Sequence, residues 1–280
     1  MRRFAQAEAH IDESNDVLYD VSDRVVTITL NRPASYNAYT TDTLGRFHEA
    51  LRRAMWDDVC GVVVITGSGD RAFCTGGDVK EYEERYLPHP DDFWKYMVLF
   101  QDCLDAIRGM GKPTIARLNG MAVGGGNEIN MACDLALAAD HVTIRQVGVK
   151  VGSVAAGGAT QWLPIIVGDR RAREMLYLCE PISAAQALDW GLVNRVVPYA
   201  KLDAAVREMC DKLLETFPGC LSYTQCQVNY WKDQAWNSTI GHAREWLALH
   251  FAHPETVEGM RAFVEKRRPD YAAIRRQRVR

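Results

Sequence analysis

The chain has 280 residues, of which 48% are hydrophobic, and a formal net charge of −3. This length is within reach of one large domain, with or without an appendage, and the apolar fraction is sufficient for a real core. The slightly negative charge argues against a nucleic-acid partner bound through bulk charge.

Cysteine usage and the absence of long apolar runs indicate the cellular compartment of the protein. The eight cysteines form no C-x-x-C pair, which favours buried thiols in a reduced compartment over a disulfide framework or a zinc site. The seven histidines form no H-x-x-x-H pair, and no metal site is expected. Residues 1–16 contain no apolar h-region, and no run approaches the ~18 apolar residues of a membrane span. We therefore expect a soluble, cytoplasmic protein without a membrane partner.

The first elements predicted along the chain are a hairpin and a helix. "VLYDVSD" and "RVVTITLNRP" are rich in β-formers and flank a turn signal at Ser22-Asp23, which predicts a β-hairpin. "TTDTLGRFHEALRRAMWDD" has apolar residues three or four positions apart, the spacing of one helix face. Thr41 or Asp42 is the expected N-cap of this helix.

Strands and helices then alternate. "CGVVVITGSGD" predicts a buried strand and a glycine-rich turn, followed by a helix at 92–110 and a strand at 113–119. Glycines, a helix from about 126 and a strand at 134–139 come next. Alternation of this kind indicates an α/β fold. Because several strands come in pairs before each helix, the pattern favours stacked ββα turns over a simple doubly wound sheet.

The C-terminal part looks different. From Asp169 onward the patterns are almost only helical. We therefore predict a core over residues 1–200 and a helical region over 201–280 that covers the core or mediates oligomerisation.

Two glycine-rich loops, "AFCTGGDVKEY" and "GMAVGGGNEI", each follow a strand and precede a helix. Neither matches the phosphate-binding loop or the dinucleotide fingerprint. An oxyanion hole is the chemical alternative, because it needs two backbone N–H groups aimed at one oxygen. Glycine permits such a close approach, and the start of a helix adds its positive dipole end. Two such turns from neighbouring layers could supply one N–H each, although both could also be plain tight turns.

The chain resembles the crotonase (enoyl-CoA hydratase/isomerase) superfamily. The segments that carry the resemblance run in the family's order from about residue 17 to 271: "NRPASYNAY", "AFCTGGDVKEY", "NGMAVGGGNEINMACDLALAAD", "GGATQWLPIIVG", "SAAQALDWGLVNRVVP" and "EGMRAFVEKRRPDY". The resemblance implies an α/β fold, a crotonase (ClpP-like) spiral of ββα turns with a helical C-terminal region. It also implies acyl-CoA substrates, no cofactor besides the coenzyme A of the substrate, and assembly as a homotrimer or homohexamer (a dimer of trimers).

The resemblance also assigns the reacting centre by motif. The backbone N–H groups of Cys74 and Gly125 would form the oxyanion hole, so the thiol of Cys74 would matter little. Glu128 falls where the hydratases carry one of two catalytic glutamates, three residues past Gly125. The alternative role for Glu128 is to cap the N-terminus of its own helix.

Further matches concern coenzyme A. The loop Gly76-Gly77-Asp78 would border the adenine region. Phe263 and Lys266 match positions that touch coenzyme A from an adjacent subunit. A solvated helix face is the alternative for Lys266.

The chain departs from the hydratases in "RQVGVKVGSVAAGGATQW". Gly148 stands where the second glutamate is expected, and addition of water is normally shared by two carboxylates. This stretch is similar to that of the 6-oxocyclohex-1-ene-1-carbonyl-CoA hydrolases and dihydroxynaphthoyl-CoA synthases. Ala155 and Gly158 replace the aspartate and tyrosine of the synthases, which favours the hydrolases. Those hydrolases are longer, and an acidic residue tends to stand at the position of Gln161.

The leading hypothesis is an enzyme that hydrates an alicyclic oxo-enoyl-CoA, opens its ring by hydrolysis of a C–C bond, or does both. A hydratase or isomerase with one glutamate is the first alternative. A non-catalytic member that binds a CoA thioester or another partner is the second. The candidates to line the acyl pocket are Tyr82, Tyr86, Gln146, Lys150, Gln161 and Trp162, although tryptophan in such a place is more often core.

Overall fold

The computed structural model describes residues 15–277, so the expected absence of a leader in residues 1–16 falls almost wholly outside the described part. The strands are β1 (Val17–Ser22), β2 (Val25–Leu30), β3 (Val62–Gly67), β4 (Ala72–Cys74), β5 (Thr114–Leu118), β6 (Met121–Val123), β7 (Leu135–Ala139), β8 (Thr143–Arg145), β9 (Ile182–Ser183) and β10 (Arg195–Val197).

The helices alternate with these strands along the first part of the chain and predominate after it. They are α1 (Thr41–Trp56), α2 (Val79–Glu81), α3 (Pro90–Arg108), α4 (Gly125–Ala132), α5 (Ala159–Ile166), α6 (Asp169–Leu178), α7 (Ala184–Asp189), α8 (Leu202–Leu214), α9 (Pro218–His250), α10 (Pro254–Val264) and α11 (Tyr271–Gln277). A π-helical turn, Tyr82–Tyr86, continues α2. Within residues 15–277 no helix is long and apolar enough to cross a membrane.

Two sheets carry the strands. The larger one has the order β1-β2-β3-β5-β7-β10 and the smaller one the order β4-β6-β8-β9. β1 and β2 form the predicted antiparallel hairpin, whereas β3, β5 and β7 pair in parallel. β3 is buried along its whole length, as expected for a parallel strand that is covered on both faces.

Each repeat of the chain contributes one strand to each sheet. β3, β5 and β7 enter the larger sheet, and the strands that follow them, β4, β6 and β8, enter the smaller one. A helical segment comes after each pair of strands. This is the predicted spiral of ββα turns, and it places the ends of β4, β6 and β8 side by side.

Helix α1 covers the predicted segment, but its N-cap is neither Thr41 nor Asp42. Thr40 is the cap, and its side chain accepts a hydrogen bond from the N–H of Thr43. The sequence pattern missed this because three threonines and an aspartate in succession all suit an N-cap. Only the backbone angles decide which of them precedes the first helical residue.

The C-terminal part is less purely helical than expected. β9 pairs antiparallel with β8, and β10 pairs in parallel with β7, so two strands occur after Asp169. Both are short, two and three residues, which leaves too few positions for an alternating pattern. The side chains of Trp236 and Phe251 join the same core as the strands. The division at residue 200 stays a prediction.

The prediction of buried thiols is confirmed for most cysteines. Six are buried, and Cys220 and Cys226 are exposed on α9. All eight are free.

Candidate active site

The two glycine-rich turns lie next to each other at the ends of adjacent strands. β4 and β6 are parallel neighbours, with Cys74 opposite Ala122. The two turns therefore leave the same sheet at the same edge. The sequence suggested neighbouring layers instead. Helix α4 begins directly after the second turn, at Gly125.

The glycines are required by close contact as well as by backbone angle. Gly76 has a φ of +87°, and a methyl group added to it would lie 3.1 Å from the backbone nitrogen of Gly125. A side chain at Gly126 would collide with the carbonyl of Cys74. The start of α4 thus lies against the end of β4, and only residues without Cβ permit that approach.

The N–H of Gly125 suits the predicted oxyanion hole. As the first residue of α4 it has no acceptor inside its own helix. Cys74 lies within contact of the same helix turn, and its thiol is fully buried. Burial raises the pKa of the Cys74 thiol to about 12, so the thiol is not a nucleophile. The use of the Cys74 and Gly125 N–H groups as donors to a substrate stays a prediction.

Glu128 is buried at 4% exposure on the first turns of α4. Its Oε1 accepts hydrogen bonds from the N–H groups of Gly157, at 2.8 Å, and Ala159, at 3.1 Å. Burial raises the pKa of Glu128 from 4.5 to about 7, against the lowering effect of these two hydrogen bonds. The carboxyl group therefore does not cap its own helix, and it is poised to change protonation near neutral pH.

A third glycine-containing turn makes this burial possible. A side chain at Gly157 would collide with both the Glu128 carboxyl group and the Phe100 ring. Gly158 has a φ of +102°, and α5 begins at the next residue. The Glu128 carboxyl group thus lies at the N-terminus of α5, where the backbone dipoles favour a negative charge.

The segment around the missing glutamate forms a 3-10 turn, Gly148–Lys150. Gln146, which precedes it, is buried and lies with its amide nitrogen 3.5 Å from the carbonyl of Gly124. The side chain of Gln146 therefore supports the second glycine-rich turn. Lys150 is half-exposed and lies 3.6 Å from a carboxylate oxygen of Glu180.

Gln161 and Trp162 are turned toward helix α9. Gln161 donates a hydrogen bond to the hydroxyl of Thr239 at 3.0 Å. Trp162 is fully buried, stacks on Trp236 with ring centres 4.8 Å apart and donates to the carbonyl of Lys232. This packing fits the core role that the sequence left open for Trp162.

The loop predicted to border adenine is tightly packed on one side. A side chain at Gly77 would collide with the hydroxyl of Tyr82, which itself bonds the hydroxyl of Tyr96 at 2.9 Å. The carboxylate of Asp78 caps α2 through the N–H of Lys80 and pairs with Arg32 at 3.0 Å. Asp78 therefore stabilises the fold through this cap and this ion pair, independently of any contact with a ligand.

Phe263 and Lys266 lie at the end of α10, away from the glycine-rich turns in sequence and exposed to solvent. Phe263 is 57% exposed, and Lys266 adopts a φ of +54° directly after the helix. Their expected contact with coenzyme A of an adjacent subunit stays a prediction. Helix α10 itself packs on its own chain, where Thr256 donates to the carbonyl of Gly152.

Sequence reasoning missed three residues that surround Glu128. Tyr39 and Phe100 stack with ring centres 5.0 Å apart, and Gln101 donates from its buried side chain to the carbonyl of Ala156. Tyr39 lay within a matched segment, "NRPASYNAY", but nothing in its spacing linked it to Gly125. Phe100 and Gln101 look like ordinary residues of an amphipathic helix. In the described residues, no group of three or more His, Cys, Asp or Glu side chains is placed to hold a metal ion.

A model of the enoyl-CoA hydratase/isomerase family matches residues 20–274. Two curated relatives are named 6-oxocyclohex-1-ene-1-carbonyl-CoA hydrolase. The one from Geobacter metallireducens is 38% identical over 85% of this chain and 75% of its own. The one from Thauera aromatica is 37% identical over 86% of this chain and 77% of its own.

Solved structures agree with this match. An enoyl-CoA hydratase from Mycobacterium avium subsp. paratuberculosis superposes with a TM-score of 0.83 at 28% identity, covering 91% of this chain and 98% of its own. An enoyl-CoA hydratase from Bacillus anthracis gives a TM-score of 0.72, also at 28% identity and with the same coverage of both chains.

Proposed function

This chain belongs to the enoyl-CoA hydratase/isomerase family, and we propose that it opens the ring of an alicyclic oxo-enoyl-CoA by hydrolysis. The observation that carries the proposal is Glu128, which lies near the start of helix α4 and has a buried carboxyl group with a pKa of about 7. A group with this pKa serves both as base and as acid near neutral pH.

The proposed reaction has two steps, and each passes through an enolate of the thioester. In the first step water adds across the ring double bond: its oxygen bonds to Cβ, and a proton is added at Cα. In the second step another water attacks the ring ketone, and the bond between the ketone carbon and Cα breaks. The ketone carbon becomes a carboxylic acid, and the electron pair remains on the Cα side until a proton arrives.

Both steps place negative charge on the thioester oxygen. The conjugate addition gives an enolate, and so does the C–C cleavage. One set of N–H donors, from Cys74 and Gly125, therefore serves both steps, and catalysis follows because these donors bind the enolate more tightly than the neutral thioester. Removing one such donor typically costs ~2.7–4 kcal/mol of transition-state stabilisation.

Gly148 supports ring opening over simple hydration. Addition of water to a linear enoyl-CoA normally uses two carboxylates, and Gly148 removes one of them. In the ring substrate the double bond is conjugated to the ketone as well as to the thioester, so the addition of water and the attack on the ketone both meet a more electrophilic carbon than a linear enoyl-CoA offers. The names of the two curated relatives point to the same ring-opening class.

We propose further that the reaction uses no cofactor besides the coenzyme A of the substrate, because water, N–H donors and one acid-base group suffice. The loop Gly76-Gly77-Asp78 would border the adenine. Gln146, Lys150, Gln161 and Trp162 would contribute to the pocket wall or support it.

A homotrimer or a dimer of trimers is the proposed assembly. Several large apolar side chains of α9 are exposed in one chain: Tyr223 (77%), Val228 (68%) and Trp231 (67%), with Phe217 (81%) just before the helix. Surfaces of this kind mark contacts between proteins. Light scattering after gel filtration should give three or six times the mass of one chain, and a monomer would contradict the proposal.

The function is tested with a panel of thioesters and product masses, in buffer with a chelator and no added metal. 6-Oxocyclohex-1-ene-1-carbonyl-CoA should give a product two waters heavier. A product one water heavier indicates hydration alone and supports the alternative with a single carboxylate. Turnover of crotonyl-CoA without any product from the ring substrate would overturn the ring-opening proposal.

A further inference from the structure

Tyr39 is tied to the first glycine-rich turn through its backbone. Its N–H donates to the carbonyl of Gly76, and its carbonyl accepts from the N–H of Asp78, both at 2.9 Å. The side chain is 3% exposed, and its ring stacks on Phe100 at an angle of 23°. The backbone hydrogen bonds and the stacking on Phe100 together fix the direction of the ring.

The hydroxyl of Tyr39 lies beside the first residue of helix α4. A side chain at Gly125 would collide with that hydroxyl oxygen. Cα–Cβ bonds in a helix tilt toward its N-terminus, and the unpaired N–H groups of the first turn point the same way. The Tyr39 hydroxyl therefore lies on the side of α4 toward which the Gly125 N–H points.

This hydroxyl differs from those of its neighbours. The hydroxyls of Tyr82 and Tyr96 bond each other, and the Tyr86 hydroxyl lies 2.5 Å from the hydroxyl of Thr41. In residues 15–277 no group forms a hydrogen bond with the Tyr39 hydroxyl. A phenol inside a protein normally has a partner, so this one has its donor free for a ligand.

Its protonation state is settled by its surroundings. Burial raises the pKa of Tyr39 well above its usual value, and the nearby Tyr82, Cys74 and Glu128 raise it further. The phenol stays neutral throughout the physiological range. It acts as a hydrogen-bond donor and does not act as a base.

We propose that the Tyr39 hydroxyl is a third donor to the thioester oxygen, beside the N–H groups of Cys74 and Gly125. The inference rests on the proposed function insofar as it requires an enolate at that oxygen. The hydroxyl keeps its proton throughout, so no bond is formed or broken at Tyr39. Its hydrogen bond strengthens as the oxygen gains charge, and this lowers the barrier of both steps.

Kinetics of Tyr39→Phe provide the first test. The variant removes the hydroxyl and keeps the ring that stacks on Phe100. We expect kcat to fall about 10²-fold with KM changed less than about threefold, since an interaction made mainly in the transition state is lost. Tyr19→Phe is the matched control: it removes another hydroxyl that has no hydrogen-bond partner, but Tyr19 lies on strand β1, and kcat should not change.

Infrared spectroscopy provides a test that does not depend on turnover. The saturated analogue cyclohexanecarbonyl-CoA, carrying a ¹³C label at the thioester carbonyl, is bound to each protein. Wild type and Tyr19→Phe should shift the carbonyl stretch to lower frequency, and Tyr39→Phe should lose a measurable part of that shift. A positional or folding role for Tyr39 would leave the shift of the bound analogue unchanged.

The two proposals fail separately. If wild type does not open the ring but Tyr39→Phe loses part of the infrared shift, ring opening is wrong and the Tyr39 assignment stands. An unchanged infrared shift together with an unchanged kcat overturns the Tyr39 assignment and leaves ring opening intact. Absence of analogue binding by wild type contradicts both.

Discussion

Glu128 and Gly148 occupy the two positions at which a hydratase is expected to carry glutamates, and their surroundings differ. Glu128 is buried and held by two N–H groups at the start of α5. Gly148 lies half-buried in a 3-10 turn, where its own carbonyl accepts from Val151 and Ser153. Burial of a carboxyl group is costly unless the fold supplies hydrogen-bond donors for it, and the start of α5 supplies them to Glu128.

The largest effect should come from Glu128→Gln. The amide keeps the shape of the side chain but neither accepts nor delivers a proton at neutral pH. We expect kcat to fall about 10³-fold, while the affinity for cyclohexanecarbonyl-CoA, measured by calorimetry, changes little. Activity within tenfold of wild type would remove Glu128 from the reaction.

Gly157→Ala should come next, because it disrupts the site while the residue at position 128 is unchanged. The added methyl group collides with the Glu128 carboxyl group and with Phe100, and displacement of the carboxyl group should lower kcat about 10²-fold. Gly45→Ala is the matched control, since nothing lies within 4 Å of a methyl group there. That control should be active and up to about 1 kcal/mol more stable, because alanine suits the interior of α1 better.

The stability of the folded protein should depend on pH through Glu128. In the folded protein the pKa of Glu128 is about 7, above the ordinary 4.5, whereas in the unfolded chain the group ionises near 4.5. Raising the pH from 5 to 8 therefore favours the unfolded state by roughly 2 kcal/mol through this group. Wild type should lose that stability relative to Glu128→Gln, as measured by denaturant unfolding of both proteins at the two pH values. A constant difference would contradict the raised pKa.

Gln101→Leu should have a smaller effect. Gln101 holds the carbonyl of Ala156 at 3.1 Å and accepts from Arg244, also at 3.1 Å, so it anchors the turn that binds Glu128. We expect kcat to fall about tenfold, with about 1–3 kcal/mol of lost stability from the unpaired groups. Gln225→Leu, which frees the carbonyl of Lys112, should cost similar stability in a thermal melt but leave kcat unchanged. Equal kcat values for both variants would contradict the anchoring role.

Gly148→Ala should have the smallest effect. A methyl group there would lie 3.0 Å from the carbonyl oxygen of Ser153, a contact that a small shift of the turn relieves. We expect a loss of stability below about 1 kcal/mol and a kcat for the ring substrate within about threefold of wild type. A large loss of kcat would show that the backbone at Gly148 takes part in the site.

Much of the fold could be predicted because its signals are local. The hairpin, α1 and the paired strands before each helix follow from spacing within a few residues, and the structure confirms them. The short strands β9 and β10 escaped prediction because two or three residues carry no pattern. Helix α9 (Pro218–His250) lies in the region predicted as helical, but its exposed apolar residues obscure the usual periodicity of one buried face, so the sequence did not indicate its bounds.

The features of the candidate site likewise include some with local sequence signals and some without. The sequence alone indicates that two glycine-rich turns follow strands, that Glu128 stands three residues after Gly125, and that Gly148 takes the place of a second glutamate. These features can be found from the sequence because their signals are local: close approach of a backbone needs residues without Cβ, so glycines directly before a helix start indicate it.

The surroundings of these residues depend on the tertiary structure. The partners of the Glu128 carboxyl group lie 29 and 31 residues further along the chain, and the hydroxyl beside Gly125 comes from Tyr39, in the segment before α1. Contacts across such separations depend on how the layers pack, and no local pattern encodes them. The raised pKa of Glu128 has the same origin, because burial is a property of the assembled fold.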